Sequence, residues 1–165
     1  MSSPADFSMV GARFSRIFID EQAFIGAAAD SFNMEISVQV ARVSDHKYAE
    51  RSVIEMGVRA RAVGVNDDGS PAQLDEVFVL ECVAGFIGSS PELDGDLDRF
   101  NESSQFFGRA IYWMLRERMQ SVVSVTLLRQ TDDLPWDLDE ADARKAASGE
   151  SKPKKKASRK EKAPQ

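Results

Sequence analysis

The sequence predicts an α+β fold: a four-stranded antiparallel sheet with one long helix packed on one face. Three observations predict it. Residues 34–40 and 53–65 alternate apolar with polar side chains, residues 77–87 are apolar on both faces, and residues 105–123 repeat apolar positions every three or four residues.

The first β-like segment covers residues 14–25, with Arg16-Ile17-Phe18-Ile19 and Ala23-Phe24-Ile25 on either side of a polar break at Asp20-Glu21-Gln22 that predicts a bulge or bend. In the second, Met34, Ile36, Val38 and Val40 share one face while Glu35, Ser37 and Gln39 share the other. The third sets Ile54, Met56, Val58, Ala60 and Ala62 against Glu55, Arg59 and Arg61. It ends in the turn-forming run Asn66-Asp67-Asp68-Gly69-Ser70-Pro71. The fourth puts Phe78, Leu80, Cys82, Ala84 and Phe86 on one face and Val77, Val79, Glu81 and Val83 on the other, as an interior strand requires.

After a polar loop, Phe107, Ile111, Met114, Leu115, Met119, Val122 and Val123 form the apolar stripe of a helix, widened by Tyr112 and Trp113. That stripe exceeds what four strands need. Ile111, Met114, Leu115, Met119 and Val122 are therefore expected at a contact with further copies of the chain.

The organisation expected is a flexible N-terminus over residues 1–12, one domain over residues 13–143, and a disordered Lys-rich tail over residues 144–165. The formal charge of −6 conceals a split between the last two. Residues 1–143 carry 12 basic and 25 acidic side chains, about −13, whereas the tail carries nine Lys and Arg against two Glu. An acidic body repels phosphate backbones and favours basic partners, so nucleic-acid binding would rest on the tail alone.

No run approaches the roughly 20 apolar residues of a membrane span, and the first residues lack the features of a signal peptide, which points to the cytoplasm. The single cysteine, Cys82, falls in an apolar run and is expected to be a buried structural thiol. The single histidine, His46, lies in the turn-like stretch Ser44-Asp45-His46-Lys47 and is expected at the surface. Neither a P-loop nor a dinucleotide fingerprint occurs. The Asp94-Gly95-Asp96-Leu97-Asp98 run has Arg99 where a calcium loop needs Gly and Gln105 where it needs Glu, and is expected to be a solvated loop. Glu55 and Glu81 fall on neighbouring strands, where two carboxylates could approach each other. The residues imply no cofactor, no metal and no catalytic constellation, and so a binding protein instead of an enzyme.

Taken in order, several segments resemble the SecB family of protein-export chaperones. Phe78-Val79-Leu80-Glu81-Cys82-Val83-Ala84-Gly85-Phe86-Ile87-Gly88-Ser89 matches the family's fourth-strand pattern at Phe78, Glu81, Gly85, Ile87 and Ser89. Leu115-Arg116-Glu117 falls where the family's long helix has Ala-Arg-Glu, Leu134-Pro135-Trp136-Asp137-Leu138 where it has Pro and an aromatic or apolar segment, and Arg16-Ile17-Phe18 resembles its first-strand Arg-Ile-Tyr. The match spans roughly residues 13–140. It departs at Tyr112-Trp113-Met114, where the family has Phe-Pro-Tyr, at the final helix, and in the Lys-rich tail, as a divergent phage or stress-operon member would.

The resemblance implies a homotetramer, a dimer of dimers, that holds unfolded polypeptides or preproteins without ATP and passes them to the SecA motor. Client binding is then expected at Phe18, Phe24, Trp136 and Leu138, and SecA docking at Glu21, Val79 and Glu81, the last two pointing away from the helix-covered face. Alternatives are a chaperone dedicated to one client, an oligomeric interaction domain without clients, and a nucleic-acid binder acting through its tail.

Overall fold

The computed structural model describes residues 3–22, 31–68, 70, 72, 77–123, 138 and 139. Five strands, β1 (Phe7–Ile19), β2 (Ser31–Val38), β3 (Arg42–Tyr48), β4 (Arg51–Val65) and β5 (Phe78–Gly88), form one antiparallel sheet. The strand order is β1-β5-β4-β2, with β3 pairing the N-terminal part of β4 beyond the end of β2. A short helix α1 (Leu97–Asn101) leads into the long helix α2 (Ser104–Val123), which crosses the face of β4 and β5. The fold is α+β, as the sequence predicts.

Two expectations are corrected. The sheet has five strands instead of four, because residues 42–48, of which Ser44-Asp45-His46-Lys47 read as turn-like, form β3 and pair with β4. Between them lies a tight turn whose central residues, Ala49 and Glu50, have φ of 47° and 65°. Paired left-handed residues are what a two-residue hairpin needs to match strand twist, and Asn-Gly is the usual way to supply them. Here the hairpin forms without that signal.

The first strand also starts earlier than expected. Residues 7–12 are not loose but lie in β1, preceded by a 3-10 turn at Pro4–Asp6 that Ser3 caps. The register with β5 slips at two places, between Met9 and Gly11 and between Phe14 and Arg16. Each extra residue resets the alternation, so Phe7, Met9, Ala12, Phe14, Ile17 and Ile19 all fall on the helix-covered face. β1 then stops at Ile19, so the break at residues 20–22 ends the strand. Residues 23–25 and the tail lie outside the described residues.

The core lies between sheet and helix. Ile54, Met56, Val58 and Ala60 of β4 and Phe78, Leu80, Cys82, Ala84 and Phe86 of β5 meet Phe107, Ile111, Tyr112, Leu115 and Met119 of α2. Phe7, Phe86, Phe100 and Phe107 cluster at one end, with ring centroids 4.7 to 6.3 Å apart in edge and stacked geometries that suit aromatic quadrupoles. This ties β1, β5, α1 and α2 together. Cys82 is fully buried, and desolvation pushes its thiol pKa up, in keeping with an inert structural cysteine. His46 is exposed, though on a strand.

Candidate polypeptide-binding surface

β1 is an edge strand: among the described residues nothing pairs with its far side. Its helix-side residues therefore lack neighbours on one flank. Phe14 and Ile17 remain 37% and 48% exposed, and Met9 is exposed beside them. The Arg118 guanidinium sits 5.9 Å above the Phe14 ring, which places the C-terminal half of α2 alongside this strand. Met114, one residue and about 100° of helix rotation from the buried Leu115, is exposed on the same helix. The result is an apolar strip next to unsatisfied strand-edge N–H and C=O groups. Such an arrangement accepts an extended chain, whose backbone can bond to the edge while its side chains meet the apolar groups.

The outward face of α2 adds Phe106 and Trp113, the latter 41% exposed with Arg116 stacked 5.6 Å from its ring. In the sequence Trp113 read as a widening of the stripe and Phe106 was not singled out, while Met114, expected at a contact between copies, is exposed. Ile111, Leu115 and Met119, expected at an oligomer contact, are instead fully buried against the chain's own sheet, and Val122 packs partly buried against the same core. The inward faces of β4 and β5 cover them.

Of the residues expected to bind clients, the two that are described, Phe18 and Leu138, do not come together. Phe18 is exposed but on the opposite face of the sheet, opposite Val79 in the register. Leu138 is buried in the core, its Cδ1 lying over Gly108, and its neighbour Asp139 pairs with Arg109 and Gln105. Phe24 and Trp136 lie outside the described residues.

That opposite, outer face differs from expectation in charge. The register brings Arg13, Arg16, Arg42, Arg59 and Arg61 to it together with Glu35, Glu55 and Glu81. Glu55 is buried and lies beneath Arg13 and Arg42, at 3.5 and 3.3 Å. Glu81 accepts a hydrogen bond from Ser15, the bulged residue of β1, and lies in the register between Arg16 and Arg59. Glu35 pairs with Arg61 at 2.8 Å. Val79, expected as an exposed apolar anchor for SecA, is fully buried between Phe18 and Arg61, and Glu21 is exposed just beyond β1. Glu55 and Glu81 do share a face, yet they stand four residues apart along the strands, roughly 13 Å. They form no carboxylate pair.

The acidic loop after β5 is structural. Asp94 holds Arg51 and the Gly88 amide, and Asp96 caps α1 through the Arg99 amide. Among the described residues no cluster of metal-ligating side chains occurs, and no helix is long and apolar enough to cross a membrane.

No family model and no curated protein matches the chain. Among solved structures, the chain is similar to the Rv1957 SecB-like chaperone of Mycobacterium tuberculosis, solved in complex with a ChAD peptide from the Rv1956 HigA1 antitoxin. The identity is 16% and the TM-score 0.41, over 79% of this chain and 92% of that chain.

Proposed function

We propose that the chain is an ATP-independent holding chaperone of the SecB kind, which binds unfolded polypeptides in an extended form along β1 and the adjoining side of α2. The observation that carries this reading is the exposure of Met9, Phe14 and Ile17 on a strand whose outer edge is unpaired among the described residues. Contiguous apolar groups beside an open edge are a liability in a protein with no binding task. The segments that resemble the SecB family support the same reading, and an acidic body limits self-association while apolar strips are exposed.

Within this reading, a chaperone dedicated to one client suits the chain better than delivery to SecA. Of the three residues expected to dock SecA, Val79 is buried and Glu81 is engaged by Ser15 and flanked by two arginines. The test is to dilute a chemically unfolded polypeptide into buffer with the purified protein and no nucleotide. Suppressed aggregation at stoichiometric amounts supports the proposal. Aggregation at the rate seen without the protein rejects it.

A further inference from the structure

The outer face of the sheet, remote from the strip described above, has a distinct composition. Residues 1–143 hold 12 basic and 25 acidic side chains, yet five of the basic ones and only three of the acidic ones are the arginines and glutamates gathered on this face. Its remaining positive neighbour, Arg51, is turned to the end of the sheet and held by Asp94.

Depth sharpens the difference. The Glu55 side chain is 11% exposed, whereas Arg42 above it is 77% exposed. Arg13, Arg16 and Arg61 are also exposed, and Glu81 is only partly so. Glu55 and Glu81 thus lie low, with the longer guanidinium groups of Arg13, Arg16 and Arg42 fanning over them toward solvent, whereas Glu35, at 47%, is about as exposed as its partner Arg61, at 51%. Over Glu55 and Glu81 an approaching molecule meets guanidinium groups first. In the middle, the side chains of Gln39 and Val53 lie over Gly57 and Gly85, and Phe18 offers one exposed apolar ring near Arg16, across the buried Val79 from Arg61.

We propose that this face docks an acidic polypeptide segment, its carboxylates held by Arg13, Arg16, Arg42, Arg59 and Arg61 and an apolar side chain resting on Phe18. Guanidinium groups suit the partner because their planar fork matches a carboxylate with two parallel hydrogen bonds. Arg13, Arg42 and Arg61, each beside a glutamate and exposed, can also bond a second carboxylate through their other N–H donors. Nucleic acid fits less well: a polyanion with a charge every 1.7 Å must approach an acidic body of about −13, whereas a peptide with a few carboxylates meets only the local patch. The inference does not depend on the chaperone reading, since the two surfaces lie on opposite sides of the sheet.

Fluorescence anisotropy on the full chain tests it, with three labelled probes at low salt: a peptide alternating Asp and Glu with Leu, the same peptide with Lys at the acidic positions, and a single-stranded 20-nucleotide DNA. The acidic peptide is expected to bind best and to weaken as salt rises. Replacing Arg42 and Arg61 together by Ser should weaken it about tenfold while circular dichroism and the melting temperature stay unchanged. If that variant is misfolded, Arg13→Ser with Arg61→Ser makes the same measurement while leaving Arg42 in place over the buried Glu55. No binding of the acidic peptide, preference for the Lys peptide, or tighter binding of DNA overturns the proposal. Undiminished binding by folded arginine variants also overturns it, because the Lys-rich tail would then be the site.

Discussion

Arg51 grips Asp94 through two hydrogen bonds of 2.8 Å, Nε to Oδ2 and Nη2 to Oδ1, and its Nη2 also reaches the Gly88 carbonyl at 2.7 Å. The start of β4, the end of β5 and the loop that leads to α1 are thereby joined at one point. The Arg51 hydrogen bonds hold the Asp94 carboxyl below its ordinary pKa, and Asp6 is likewise lowered by the Ser3 amide and then by Arg99. A carboxylate with a depressed folded pKa contributes stability that is present above its unfolded pKa, about 3.9, and is lost as pH falls through the folded value. Asp94→Asn should therefore lower the melting temperature at pH 7 and reduce its drop between pH 5 and pH 3. An equal acid drop in the variant and the parent would show that Asp94 does not carry it.

The same junction constrains Gly88. A Cβ there would lie 2.6 Å from the Leu93 Cβ and 2.8 Å from backbone atoms of Leu93 and Ser90, none of which can swing aside. Gly88→Ala should destabilise the fold by about 1–3 kcal/mol in urea unfolding, as overfilled sites do. A variant as stable as the parent would mean that the loop moves freely.

At the β3–β4 turn, Ala49 and Glu50 each occupy a left-handed conformation that costs a residue with a Cβ about 1–2 kcal/mol. Replacing them by Asn and Gly should raise stability by about 1–2 kcal/mol in total, partly offset by the greater freedom of glycine in the unfolded chain. The denaturation midpoint reports it. No change would mean the turn relaxes to another type in solution.

This turn also shows why parts of the fold were legible in the sequence and others were not. β2, β4, β5 and α2 follow their ideal periods, so Ile36, Val58, Leu80 and Leu115 announce the core by spacing alone. β3 was hidden because Ala-Glu carries no turn signal. The first half of β1 was hidden because its buried-side residues advance by two, three, two, three and two, which fits neither a helix nor a regular strand. The outer-face arginines could not be grouped in advance: each strand shows which side its own residues take, but only the register joins Arg13, Arg42 and Arg61 on one surface.

Burial separates two helix substitutions that the sequence treats alike. Leu115 is fully enclosed, so Leu115→Glu should unfold the chain by burying an unpaired charge. Trp113 points to solvent, so Trp113→Glu should leave the circular dichroism spectrum intact. If the helix faces of several copies meet in a homotetramer, it should also reduce the mass found by light scattering. A stable Leu115→Glu protein would contradict the burial.

The strip on β1 makes a prediction that its opposite face does not share. Phe14 and Ile17 lie on the helix side, while Phe18 next to them lies on the outer face, separated from them by the sheet itself. Both sets are exposed, so replacing them by Ser removes little core area and should change stability by less than about 1 kcal/mol. If unfolded chains bind along β1 beside α2, Phe14→Ser with Ile17→Ser should raise the amount of protein needed to suppress aggregation several-fold. Phe18→Ser should leave that amount unchanged. Loss of Phe14 also strips Arg118 of its ring, so Arg118→Ala is a useful third variant: it keeps the apolar side chain and removes only the cation above it. Holding activity that survives the double substitution but fails with Phe18→Ser would move the client site to the outer face.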